Sequence, residues 1–142
     1  MKKLIVHTEI KDIKDYLYEI CSIEVVIIQI GGWFETIEES ADIINSEFNT
    51  KIHSGGRSHR VARFPIGGID KYNDHLDMSK FSYCFILETD RSEQQVSRKV
   101  EISSNKEILG IEFVHKIKDW GGQKHVLSKS IRYFGVEPLA TL

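Results

Sequence analysis

The chain has 142 residues, 41% of them hydrophobic and 28% charged, and a formal net charge of -2. That size and balance suit a single globular domain over 1–142 with a self-sufficient core, and the slight acidity excludes a protein that coats nucleic acid over its whole surface. Any recognition of phosphate must therefore be local.

Residues 2–8 read as a short strand. Glu9, Lys11 and Asp12 cut the apolar run of MKKLIVHTEI far below the length of a signal peptide or a membrane span. The expectation is a soluble, cytoplasmic protein with no membrane partner. Asp12 can cap a helix whose Ile13, Tyr16, Leu17 and Ile20 share one side. Residues 23–30, IEVVIIQI, form an almost unbroken β-branched run of the kind that lies in mid-sheet, covered on both faces. The opening order is thus β-α-β. Cys21 and Cys84 sit in or beside apolar stretches without CxxC spacing, which reads as two reduced core thiols and no cysteine-bound metal.

After the Gly31-Gly32 turn, Thr36 and Glu39 have the spacing of a capping box, and Ile37, Ala41, Ile44 and Phe48 recur with helical period, so a helix is expected over 36–48. It is acidic. Residues 31–50 hold Glu35, Glu38, Glu39, Asp42 and Glu47 without one Lys or Arg, and the next stretch, KIHSGGRSHRVARF, holds Lys51, Arg57, Arg60, Arg63, His53 and His59 without one carboxylate. Residues 60–66 read as a strand stopped by Pro65 and Gly67-Gly68, and DKYNDHLDMSK as a polar surface excursion. Residues 81–89 are strand-like, and 91–104 fit a short helix or a hairpin arm equally. Leu109, Ile111, Phe113 and Ile117 alternate with Glu112, Lys116 and Lys118, the period-two pattern of a strand with one wet face. A closing helix is expected over 122–134, with Gly135 just past its end and Pro138 beyond. The sum is an α+β fold: a single mixed sheet of about five strands with three or four helices, closing with that C-terminal helix.

The sign reversal points to an anion site. In SGGRSHR, Gly55 and Gly56 free backbone N–H groups beside Arg57, Arg60 and Arg63, whose planar forks suit phosphate oxygens. In GGQKH, a helix starting after Gly121 and Gly122 would aim its N-terminal N–H groups outward, and Lys124 adds a donor. Trp33 and Trp120 each stand beside a Gly pair and could stack on a base or ribose, or else plug the end of the core. His53, His59 and His125 are candidates for general base and acid in metal-independent phosphodiester cleavage. No HExxH spacing appears, nor a P-loop, GxGxxG or GxSxG motif, so no metal or cofactor is implied.

Two functional readings follow, with the question of catalysis open. In the first, the chain binds a phosphate-bearing ligand, a phosphorylated small molecule such as a nucleotide signal or an RNA segment, through the basic Gly-Gly loop. In the second, it is an immunity- or antitoxin-like module whose acidic 35–47 helix blocks a basic protein partner. A third possibility carries no ligand: the acidic helix neutralises the arginines in a structural clamp.

Overall fold

A computed structural model describes residues 3–7, 9–54 and 59–117. In chain order they form β1 (Leu4–His7), α1 (Ile10–Asp15), β2 (Val25–Ile30), β3 (Trp33–Ile37), α2 (Glu39–Phe48), β4 (Ile52–His53), β5 (Val61–Pro65), α3 (Ile69–Asp77), β6 (Tyr83–Arg91), β7 (Gln95–Ser103) and β8 (Glu112–Lys116). The strands make one mixed sheet in the order β1-β8-β7-β6-β2-β3-β5-β4.

Eight strands replace the expected five or so, and the reasons are local. β3 occupies the stretch that the Thr36-x-x-Glu39 spacing assigned to a helix start. Thr36 instead donates its hydroxyl to the Ala62 carbonyl at 2.8 Å across the sheet, and α2 begins three residues later, at Glu39. β4 has two residues, too few to display any period. The ambiguous stretch 91–104 is mostly β7, a nine-residue antiparallel partner of β6. The helices differ as well. The polar excursion 70–80 is largely α3, whose Ile69, Tyr72 and Leu76 pack on one face at helical spacing, while its other residues are all polar and give the segment the composition of a surface loop. The closing helix expected over 122–134 lies outside the described residues.

The opening does run β-α-β, but the two strands are not neighbours. β1 pairs in parallel with β8, and β2 pairs in parallel with β6. α1 starts earlier than an Asp12 cap implies: Asp12 sits inside its first turn and accepts the Glu9 N–H at 3.0 Å, one half of a capping box. The helix then widens into a π-helical turn over Tyr16–Ile20, closed by the Cys21 N–H on the Tyr16 carbonyl at 3.3 Å.

β2 lies mid-sheet between β6 and β3, and Val25, Val26, Ile27 and Ile28 are all fully buried. Its alternating side chains feed two cores. On one face Val26 and Ile28 join Ile13, Leu17, Cys84, Ile86 and Phe113. On the other, Val25 and Ile27 join Phe34, Ile44, Phe64 and Phe85. Since β1, β8, β6 and β2 all run in one direction, the sheet has an upper end, where β2 turns into β3, and a lower end, where β2 begins.

Candidate functional site

The sign reversal in the sequence becomes a set of contacts at the lower end. Arg60 grips Asp42 of α2 with both arms of its fork, Nε and Nη2 each 2.9 Å from a carboxylate oxygen. This hydrogen-bonded pairing raises the guanidinium pKa further. The backbone adds to it, with the Glu38 N–H donating to the Arg60 carbonyl at 2.9 Å. From α1, Lys11 and Lys14 reach Glu38 at 3.0 and 3.2 Å, and Lys14 also pairs with Glu39. Glu47 meets His75 of α3 at 2.9 Å. For Arg60, the clamp describes what the side chain does.

The candidate residues do not converge on one pocket. His53, exposed on β4 opposite Val61, and the half-buried His59 stand with Arg60 near the loop end of β5. Trp33 faces Pro65 at the other end of that strand, about 16 Å away for five residues at 3.3 Å each. Gly55, Gly56, Arg57, Trp120, Gly121, Gly122, Lys124 and His125 lie outside the described residues.

Trp33 and Arg63 do share a corner. Residues 33, 35 and 37 of β3 point to one face, and Glu35 sits directly opposite Arg63, so Trp33 and Arg63 are diagonal neighbours within reach of long side chains. The Trp33 side is 50% exposed. Arg63 is 42% exposed, and its Nε lies 3.9 Å from the buried Glu35 carboxylate. That is an ion pair at the outer limit of contact, not a hydrogen bond.

The turn that presents Trp33 is braced from below. Glu88 of β6 accepts the Gly31 N–H at 2.8 Å and is clasped by Arg91 at 2.5 and 3.0 Å. Burial works against the ionised Glu88 carboxylate, but the hydrogen bonds from Arg91 and Gly31 hold its pKa below the usual value. Gln29 donates its side-chain amide to the Gly31 carbonyl at 2.9 Å and accepts the Glu88 N–H at 2.9 Å. Arg98 of β7 donates Nε to the Gln29 carbonyl at 2.8 Å. The Ile66 N–H closes on the Gly32 carbonyl at 3.1 Å.

Comparison with known proteins adds no assignment. The chain matches no protein-family model and has no significant match among curated proteins.

Reading the sequence alone missed the polar groups beneath the corner. Arg98 is 3% exposed, and Glu88 lies at its side. Burial lowers the Arg98 pKa, and its Nη1 has no hydrogen-bond partner among the described residues. His7 is buried as its apolar surroundings suggest, with Nδ1 3.3 Å from the Glu9 carbonyl, and burial first, then His115 and Arg98, push its pKa down to about 3. The Q-V-S-R-K-V run shows apolar alternation only at its ends, so no local signal marks Arg98 as interior. Among the described residues, no group of three His, Cys, Asp or Glu side chains could hold a metal ion, and no helix is long and apolar enough to cross a membrane.

Proposed function

We propose that the chain binds a phosphate-bearing ligand with a base, a nucleotide or an RNA segment, by stacking the base on Trp33 while Arg63 meets the phosphate. The observation that carries this reading is an indole left half exposed on a turn held from four sides by Gln29, Glu88, Arg98 and Ile66. Base-on-aromatic stacking contributes about 1–3 kcal/mol per base. A rigid platform avoids the ordering cost that a mobile loop would add.

Two further facts favour it. The guanidinium of Arg63 is exposed and only loosely held by Glu35, whereas Arg60 is fully engaged by Asp42. Gly32 and Gly67, on either side of the corner, leave open space: a Cβ on either would meet nothing within 4 Å. Cleavage is not part of this reading, because His53 and His59 stand at the loop end of β5. The acidic-helix alternative has no comparable support, since Glu38, Glu39, Asp42 and Glu47 are each paired within the chain.

Fluorescence titration with short uridine and thymidine oligonucleotides and with mononucleotides tests the proposal. Binding should be lost in Trp33→Ala, partly kept in Trp33→Phe, weakened about fivefold or more in Arg63→Ala, and unchanged in Arg60→Ala. An Arg60→Ala variant as impaired as Arg63→Ala would return the site to the loop. The absence of binding by every nucleotide and oligonucleotide would end the reading.

A further inference from the structure

The two outer strands of the sheet differ in how they meet their surroundings. Beside β4, the Ile66 N–H on the Gly32 carbonyl and the Glu38 N–H on the Arg60 carbonyl turn the backbone groups of residues 60, 62, 64 and 66 toward β3 and those of residues 61, 63 and 65 outward. Val61 is met there by His53 of the two-residue β4, and Pro65 has no N–H to offer. A very short last strand and an outward proline both keep an edge from pairing further.

β1 ends the sheet on the other side with neither device. The Glu112 N–H donates to the Lys3 carbonyl at 2.9 Å, and the Val100 N–H to the Ile111 carbonyl at 3.0 Å. Residues 111, 113 and 115 therefore turn to β7, and residues 112, 114 and 116 to β1, where they meet the backbone of Lys3, Ile5 and His7. The N–H and C=O groups of Leu4 and Val6 consequently point away from the sheet. Residues 4–7, LIVH, include no proline, acid or lysine, and their register with β8 is unbroken. Ile13, Tyr16 and Leu17 pack on Ile5 from the face of the strand, not from beyond its edge.

From this contrast we infer that β1 is a dimerisation strand, which pairs antiparallel with β1 of a second copy of the chain. The strand is complementary to itself. With the two-fold axis at Ile5, Leu4 lies opposite the partner's Val6 and Val6 opposite the partner's Leu4, so each outward N–H and C=O of these residues gains a partner. The Leu4 and Val6 side chains, half-buried in one protomer, then cover one another as apolar cross-strand pairs. Lys3 comes opposite the partner's His7, which is uncharged at neutral pH. Two eight-stranded sheets become one. A four-residue strand makes a small interface, in the weak class below about 1,200 Å².

Sedimentation velocity and amide hydrogen exchange from about 10 µM to about 1 mM test the inference, the range in which so small an interface associates. The average mass should rise toward that of the dimer, and exchange of the Leu4 and Val6 amides should slow about tenfold. The Ile5 and His7 amides, which face β8, should stay protected at every concentration and report that the protomer is folded. Val6→Pro removes an outward N–H without touching the β1–β8 ladder and should abolish both effects. Val6→Lys keeps that N–H but places a charge on the edge, and should abolish them as well. A chain that stays monomeric at about 1 mM would overturn the inference. So would a dimer that survives in both variants, since another surface would then hold it. Leu4 and Val6 amides already protected in the monomer would overturn it too, because the edge would then be covered within one chain.

Discussion

His7 shows how far burial moves a single titratable group. Its pKa of about 3 lies below the usual 6.5, chiefly because burial disfavours the charged ring. Between those two values the unfolded chain takes up a proton that the folded chain refuses, so stability falls as the pH drops through that window. The slope is at most about 1.4 kcal/mol per pH unit. In urea denaturation, the wild type should lose about 2 kcal/mol more than His7→Asn between pH 7 and pH 5. Equal losses would mean that His7 ionises normally in the fold.

The glycines of the Trp33 turn separate conformation from access. Gly31 has φ +59°, in the left-handed region, whereas Gly32 has no such requirement and no neighbour within 4 Å of a Cβ. Gly31→Ala should therefore destabilise the protein by about 1 kcal/mol. Gly32→Ala should leave the melting temperature nearly unchanged. If ligands approach the indole over this turn, Gly32→Trp should block oligonucleotide binding without unfolding the chain.

At the scale of elements, the junction of α1 with α2 rests on one lysine. The Lys14 side chain is 3% exposed and meets both Glu38 and Glu39, while Lys11 is 38% exposed and pairs with Asp15 and Glu38. Glu38, moreover, has a positive φ of 52° at the start of α2, an uncommon conformation for a residue with a side chain. Removing a buried partner strands the charges left behind, though the partial exposure of the two carboxylates reduces the penalty. Lys14→Met should cost about 1–2 kcal/mol in chemical denaturation, and Lys11→Ala well under 1 kcal/mol. Similar costs for the two variants would show that the junction does not depend on burial.

These elements also show what local patterns can carry. The β-branched run of β2 needs no context, because burial on both faces demands apolar residues at every position. β3 and α3 needed context. Thr36 and Glu39 satisfy a capping pattern by spacing alone, yet the pairing of Thr36 with Ala62 holds that stretch extended, since a ladder of cross-strand bonds outweighs one cap. The acidic and basic segments were visible as opposites; that Asp42 would take up Arg60 and leave Arg63 loosely held depended on strand register.

For the molecule as a whole, the charge is nearly balanced, and Arg63 is the cation at the Trp33 corner with a loose partner. Oligonucleotide affinity should accordingly depend weakly on salt, with a slope of log K against log salt near -0.7 for one phosphate contact on a single strand. A slope steeper than about -3, measured by titration from 50 to 300 mM salt, would require several basic contacts and would direct attention back to the basic loop.

Taken by itself, the amino-acid sequence determined the α+β character, the β-α-β opening, the mid-sheet position of β2 and the abrupt exchange of acidic for basic residues, because each depends on side-chain period or composition within a short stretch. Only the tertiary structure decided that β1 lies beside β8, that Trp33 and Arg63 are diagonal neighbours while Arg60 stands at the other end of β5, and that Arg98 is interior. Those facts arise from pairings between residues tens of positions apart, and the free energy that selects them comes from burial and hydrogen bonds that no local window contains.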